Sequence, residues 1–146
     1  VCSSDLQHQA QRLARRARET LGLVLGELGP RLPADHGPDP EEALPVEREH
    51  GLYLCGEAIL LERLRDLPEP MATVLMIGHN PDLQDLALTL LRGHEHGRGE
   101  LKRKFPTAGL AVLRFDTPSW RAIGPGSAQL LAFIKPKTLE PEGATP

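Results

Sequence analysis

The stretch Thr73-Val74-Leu75-Met76-Ile77-Gly78-His79-Asn80-Pro81-Asp82-Leu83 decides which fold the sequence predicts. A short, partly β-branched apolar run ends at a glycine, which is typical of a buried strand. A histidine follows directly, and Pro81 is typical of the first turn of a helix. Open α/β sheets bind ligands at the carboxyl ends of their strands. The order of strand, histidine and helix therefore predicts that His79 lies at a binding edge.

The chemistry available at His79 favours an anionic ligand. The start of the following helix supplies free backbone N–H groups and a partial positive charge, which together favour phosphate. Histidine can donate a hydrogen bond to phosphate, attack it as a nucleophile or transfer a proton. The spacing does not choose among these roles. The alternative is a structural histidine that bonds a backbone carbonyl at the end of the strand.

The rest of the chain alternates helices with strands, which predicts an α/β layered domain. The pattern predicts helices over 7–28, over 57–67 and from Pro81 onward. It predicts strands over 73–77 and 109–115, with 120–123 as a hairpin partner of the latter and 130–134 as a last apolar stretch. Residues 30–45 contain five prolines, and 92–100 are rich in glycine and histidine, so both read as surface loops.

Composition narrows the function classes. The chain has 146 residues, of which 40% are hydrophobic and 3% aromatic, so we expect one aliphatic core. A net charge of −3 argues against a nucleic-acid partner. No apolar run approaches the roughly 20 residues of a membrane span. Two cysteines without metal-ligand spacing favour a reducing, cytoplasmic compartment, and no metal or organic cofactor is implied.

The domain organisation follows from the same pattern. Residues 7–139 are predicted to form a single domain, and 140–146 a flexible tail. The given sequence does not begin with a methionine, and residues 1–6 have two interpretations. They resemble a translated sequencing adapter, which would make them a non-native leader, or they are a natural Ser/Asp-rich helix start.

Two further groups of residues are candidates for chemistry. Arg16 lies at the edge of the apolar stripe of the first helix, where a packed stem and a free guanidinium suit bidentate phosphate binding. The alternative is a solvated basic helix face. His94 and His96 form a His-x-His pair. A zinc site needs further ligands, and none is evident, so a polar surface loop is the better interpretation.

Four ordered blocks resemble the histidine phosphatase superfamily, and most closely its SixA-type phosphohistidine phosphatases. The resemblance runs from about Ala14 to Lys137. Its blocks are Arg15-Arg16-Ala17-Arg18-Glu19-Thr20, Leu52-Tyr53-Leu54 with the stretch 74–83, Phe105-Pro106-Thr107-Ala108-Gly109-Leu110-Ala111-Val112-Leu113, and Pro125-Gly126-Ser127-Ala128. This family resemblance implies a three-layer α/β/α sandwich with a mainly parallel central sheet, of the phosphoglycerate-mutase-like type.

The resemblance also implies roles for individual residues. His79 corresponds to the family's second catalytic histidine, and Arg16 and Asn80 are assigned to phosphate binding. The implied substrate is phosphohistidine on a protein, or a small phosphomonoester, hydrolysed through a phosphohistidine intermediate. Phosphoryl transfer depends mainly on positioning and on positive donors around the equatorial oxygens, which fits such residues.

One departure from the family pattern is serious. The chain contains no Arg-His pair, so the family's nucleophile and its first arginine are absent. A missing amino-terminal segment with the first strand would explain this, and we then expect an inactive, poorly stable chain. Two rivals remain. One is a phosphate-binding regulatory protein without turnover, and the other a metal-dependent hydrolase that uses His94 and His96.

Overall fold

A computed structural model describes residues 3–28 and 46–139 of the chain, with side chains given for 15–27 in the first helix. Its helices are α1 (Ser3–Leu28), α2 (Glu57–Arg65), α3 (Asp82–Leu90) and α4 (Arg98–Arg103). Its strands are β1 (Leu110–Phe115) and β2 (Ala128–Ile134). Short 3₁₀ turns occupy His50–Leu52, Trp120–Ala122 and Pro136–Thr138.

The described residues fall into two compact units. The first contains α1 together with 46–54 and 75–79. The second contains 55–74 and 80–139, and therefore α2, α3, α4 and both strands. The predicted single domain over 7–139 stays a prediction. Residues 1–2 and 140–146, and the proline-rich loop with its flanks at 29–45, lie outside the described residues.

The predicted three-layer sandwich with a mainly parallel sheet is wrong for the part of the chain that the structure describes. The sheet seen there has two antiparallel strands, paired from Leu110 with Ile134 to Phe115 with Ala128. Parallel pairing within the described residues is limited to one isolated bridge between Leu91 and Ala128. Parallel neighbours need a crossover connection, whereas consecutive strands can fold back directly. The connection from β1 to β2 contains a 3₁₀ turn and no crossover helix, so the chain folds back and the two strands pair antiparallel.

The predicted strand over 73–77 is also wrong. These residues are irregular, and Val74 and Leu75 are 38% and 52% exposed. A strand needs a neighbour that accepts and donates its backbone hydrogen bonds. None of the described segments supplies that neighbour, so apolar composition alone does not produce a strand here.

The predicted helices fared better than the strands. Helices α1, α2 and α3 confirm the three predictions, with α1 beginning four residues earlier than predicted and α2 ending two residues earlier. Helix α4 was missed because it has only six residues and starts inside the polar stretch 92–100. Residues 120–122 form a 3₁₀ turn, and the hairpin partner of β1 is β2 instead. No described helix is both long and apolar enough to cross a bilayer.

The second unit has an aliphatic core, as the composition predicts. Its buried side chains come from all of its helices, from β2 and from the connection between the strands; they are Leu60, Leu61, Leu64, Leu86, Ala87, Leu90, Leu91, Leu101, Ile123 and Ala128. Burying each large aliphatic side chain contributes roughly 1.5–3 kcal/mol. This packing fixes α3, the helix that follows His79 in the chain.

Candidate functional site

His79 is held by an aromatic neighbour. The edge of one ring faces the other in its contact with Tyr53, with ring centroids 5.9 Å apart and an interplanar angle of 73°. Tyr53 directly follows the 3₁₀ turn His50–Leu52 and donates its backbone N–H to the carbonyl of His50 at 3.2 Å. His79 is only partly buried, so its imidazole keeps access to solvent. The contact restricts the ring while leaving it able to meet a ligand.

Sequence reasoning did not assign a role to Tyr53. Its hydroxyl oxygen is buried and has no hydrogen-bond partner among the described residues. The ring, and not the hydroxyl, therefore makes the contact with His79 that the structure describes. The only signal in the sequence was the position of Tyr53 in one of the blocks that carry the family resemblance.

Asn80 connects the start of α3 with the segment after α4. Its side-chain Nδ2 donates a hydrogen bond to the carbonyl of Phe105 at 2.7 Å. A carboxamide nitrogen carries two hydrogens, so one N–H remains after this bond. The role of Asn80 as a phosphate donor, implied by the resemblance, is compatible with this geometry.

The amino end of α3 has no side-chain cap. Its N-cap residue is Pro81, and the helical hydrogen bonds begin with the N–H of Asp85 on the carbonyl of Pro81 at 2.9 Å. The N–H groups of the preceding residues point out of the helix end, where they can meet an anion. The first turn also carries the carboxylates of Asp82 and Asp85, of which Asp82 accepts a hydrogen bond from the backbone N–H of Gly56 at 3.1 Å.

A hydrogen bond between side chains joins α2 to α3. Thr89 Oγ1 donates to Glu57 Oε2 at 2.6 Å. Glu57 is the first residue of α2, where a carboxylate also complements the helix dipole. This bond gives Glu57 a structural partner and helps to hold α3 in place.

Arg16 lies exposed on α1, in the same unit as His79. The expected packing of its stem against a core is therefore not seen. Its carbonyl accepts a hydrogen bond from Thr20 Oγ1 at 3.0 Å, within the helix. The described contacts include none between Arg16 and His79. Arg15 and Arg18 are also exposed, and Arg15 pairs with Glu19 at 2.8 Å.

The histidine pair in the polar stretch lies on the surface. His94 and His96 are both exposed, and no group of three potential metal ligands occurs in the described ranges 3–28 and 46–139. A protein metal site needs at least three such ligands in most cases. The geometry therefore gives the metal-dependent hydrolase no support.

Comparison with known proteins gives relatives without an assigned activity. An uncharacterized protein of Mycobacterium tuberculosis, found in two strains, is 31% identical over 96 residues, which cover 64% of this chain and 60% of the relative. An uncharacterized protein of Mycobacterium leprae is 27% identical over 95 residues, covering 64% of this chain and 58% of the relative. This chain thus spans about 60% of the length of these relatives. No family model and no solved structure matches it.

Proposed function

We propose that this chain is part of a phosphatase domain of the histidine phosphatase type, in which His79 is a phosphate-binding residue and the amino end of α3 itself donates hydrogen bonds to phosphate. The parent enzyme hydrolyses phosphohistidine on proteins, or a phosphomonoester, through a phosphohistidine intermediate. The observation that carries the proposal is the ring contact between Tyr53 and His79. It brings together the two parts of the second block, Leu52-Tyr53-Leu54 and the stretch 74–83, which are distant in the sequence.

Two further contacts in the second unit support the same proposal. Asn80 bonds the carbonyl of Phe105, which opens the third block of the resemblance. Gly126, in the fourth block, donates its backbone N–H to a carbonyl of α3 at 3.0 Å. The third and fourth blocks therefore bond to α3 or to Asn80, which precedes its N-cap residue. Such contacts are expected if these two blocks support the same helix end.

The available groups suit binding more than bond cleavage. The imidazole of His79, the second N–H of Asn80 and the backbone N–H groups at the start of α3 are all hydrogen-bond donors. Donors placed around the equatorial oxygens stabilise the charge of a transferring phosphoryl group. The chain has no Arg-His pair to supply the family's nucleophile. We therefore expect phosphate binding without turnover from this chain by itself.

A phosphate-binding regulatory domain is the second candidate, and the absence of an Arg-His pair favours it. Such a domain uses the same donors and needs no nucleophile. The two candidates differ in the coding sequence upstream of Val1. An Arg-His motif after an apolar run there would support the enzyme, and a start codon next to Val1 would support the regulatory domain.

Binding of vanadate or inorganic phosphate to the 146-residue chain tests the shared part of both candidates. We expect saturable shifts of the His79 imidazole signals and of the α3 amino-terminal amides in NMR spectra. Arg16→Ala is expected to weaken binding, since its guanidinium is the proposed bidentate donor. Arg18→Ala is the matched control, because Arg18 is also exposed on the same helix.

The outcomes separate the parts of the proposal. Shifts absent at His79 and at α3 would contradict the phosphate site. Equal weakening by Arg16→Ala and Arg18→Ala would leave His79 in the site and remove Arg16 from it. Release of phosphate from a phosphoramidate substrate by this chain would contradict the expected lack of turnover.

A further inference from the structure

A cluster of positive side chains lies at the carboxyl end of α4, in the second unit. Lys102 and Arg103 end the helix, Lys104 follows, and all three are exposed. Lys137 is exposed as well, two residues after Lys135, which pairs with Glu100 of α4. We call the four exposed side chains, Lys102, Arg103, Lys104 and Lys137, the basic corner.

The basic corner stands out against the charge of the chain. Residues 98–104 and 135–137 carry six basic side chains and one acidic one, whereas the whole chain has a net charge of −3. The acidic one, Glu100, is already paired: its hydrogen bond with Lys135 lowers the pKa of its carboxyl, and the charge of Arg103 lowers it further. The local excess of positive charge is therefore not neutralised from within the patch.

Several other surface cations of the described residues have carboxylate partners. Arg65 pairs with Glu62 at 2.6 Å, and Arg114 with Asp116 at 3.4 Å. By contrast, the described part of the chain offers no carboxylate within ion-pair distance of Lys102, Arg103 or Lys104. Unpaired and exposed cations are free to meet an anionic partner.

The backbone that carries these cations is firmly held. Gln84 Nε2, from α3, donates to the carbonyl of Leu101 at 2.9 Å and to that of Lys102 at 3.1 Å. Leu101 is completely buried. Directly after Lys104, the ring of Phe105 packs on that of Phe133 in β2, with ring centroids 5.5 Å apart. A surface fixed in this way loses little backbone entropy when a partner binds.

We infer that the basic corner is a docking surface for an acidic segment of a partner protein. The inference concerns binding alone, and it holds whether or not the domain handles phosphate. It adds a protein-binding surface next to α3, because Asn80 and Gln84 tie the carboxyl end of α4 to that helix.

The small extent of the patch favours a peptide segment over a nucleic acid or a membrane. Charges are screened beyond about 8 Å at physiological salt, so a short acidic segment experiences mainly the local positive potential. A nucleic acid or an anionic membrane extends further and meets the rest of a chain that is negatively charged overall. The described aromatic rings near the corner, Phe105 and Phe133, are half-buried and packed on each other, which reduces the ring surface on which bases could stack.

Fluorescence anisotropy with a fluorescein-labelled octaglutamate peptide tests the inference on the 146-residue chain. The variant Lys102→Gln/Arg103→Gln/Lys104→Gln removes three exposed charges. The matched control Arg15→Gln/Arg18→Gln/Arg121→Gln removes three exposed charges elsewhere. We expect the first variant to raise Kd about tenfold and the control to change it by less than about twofold, since exposed charges each contribute a fraction of a kcal/mol.

Several results would overturn the inference. These are no binding at low salt, equal weakening by the two variants, or tighter binding of oligothymidylate or phosphatidylserine vesicles than of the peptide. Circular dichroism checks that both variants fold. If the first variant does not fold, the amide shifts of the unaltered chain decide. Peptide-induced shifts must then centre on residues 101–105 and 135–138, and shifts centred elsewhere would reject the docking surface.

Discussion

Residues 73–77 and the strand β1 are both short apolar runs that end at turn-forming residues, and only β1 pairs with another strand. The strand β1 lies beside β2 over its whole length, with one irregularity between Val112 and Leu113. In the other run, Val74 and Leu75 are largely open to solvent. Similar composition thus has opposite outcomes in the two places.

The two runs differ in whether a neighbouring segment pairs with them. The strand β1 is followed, after one connection, by a segment that can fold back on it, and Ile123 in that connection is buried. Arg65 Nε also donates to the carbonyl of Ile123 at 2.9 Å, which ties the connection to α2. Among the described residues, no segment pairs with residues 73–77. Pairing partners, and not apolar character, decide whether a run becomes a strand.

The largest expected effect is the loss of stability when the buried side chain of Ile123, between the paired strands β1 and β2, is shortened. Ile123, 2% exposed, lies in the connection between β1 and β2. Ile123→Ala is expected to lower the free energy of unfolding by about 2–5 kcal/mol, because it leaves a cavity. Leu75→Ala, at a side chain 52% exposed, is expected to cost less than about 1 kcal/mol. Urea unfolding of both variants measures this, and equal losses would mean that the unpaired run is buried after all.

Hydrogen exchange should distinguish the same two runs without any substitution. The hydrogen-bonded amides of β1 are expected to exchange about a hundredfold more slowly than those of residues 74–77, because local opening is easiest where backbone groups are unpaired. NMR or mass spectrometry after transfer to heavy water measures the rates. Slow exchange throughout 74–77 would show that this run has found a partner strand.

A smaller effect is expected at the bond that holds the connection of the hairpin. Arg65→Gln removes the bond to the carbonyl of Ile123 and the ion pair with Glu62. Its side chain is 31% exposed, so we expect a loss of only about 1–2 kcal/mol in unfolding free energy. Arg15→Gln, which breaks an exposed pair with Glu19, is the control and should cost less than about 0.5 kcal/mol. A control loss as large as that of Arg65→Gln would attribute the effect to net charge.

The smallest expected effect is a change in the pKa of Glu100, whose partner Lys135 directly follows β2. The hydrogen bond from Lys135 holds the pKa of the Glu100 carboxyl below its ordinary value. A carboxyl with a lowered pKa in the folded state stabilises the fold above its unfolded pKa, and this contribution disappears as the pH falls through the lowered value. Lys135→Gln should therefore raise the pKa of Glu100. Carbon-detected NMR titration measures it, with Lys137→Gln as control, and an unchanged pKa would rule out the pairing.

The helices were the most predictable part of this chain. The apolar positions of α1, α2 and α3 recur at helical spacing, and Pro81 marks the start of α3, so local pattern was sufficient. Helix α4 was not predictable, because its six residues lie among polar ones and it depends on Gln84 and on the burial of Leu101. Strand order was not predictable either, because pairing joins segments that are distant in the sequence.

The residues of the candidate site were likewise predictable from the sequence only in part. His79 was singled out from a strand-to-helix pattern of which only the helix exists in the described residues, and Asn80 from the family resemblance. The contact of Tyr53 with His79 and the bond of Asn80 to Phe105 needed the tertiary structure, because neither has a local sequence signal. Whether Arg16 serves the same site stays a prediction, which the vanadate titration tests.

By itself, the sequence determined the three longer helices, the aliphatic character of the core and the residues worth testing for phosphate binding. Helical spacing, proline positions and side-chain chemistry are local properties, and these conclusions need nothing more. The tertiary structure alone decided that β1 pairs with β2, that 73–77 remains unpaired and that Lys102, Arg103 and Lys104 are exposed without a carboxylate partner among the described residues. Each of these depends on contacts between distant segments, which a pattern along the chain does not contain.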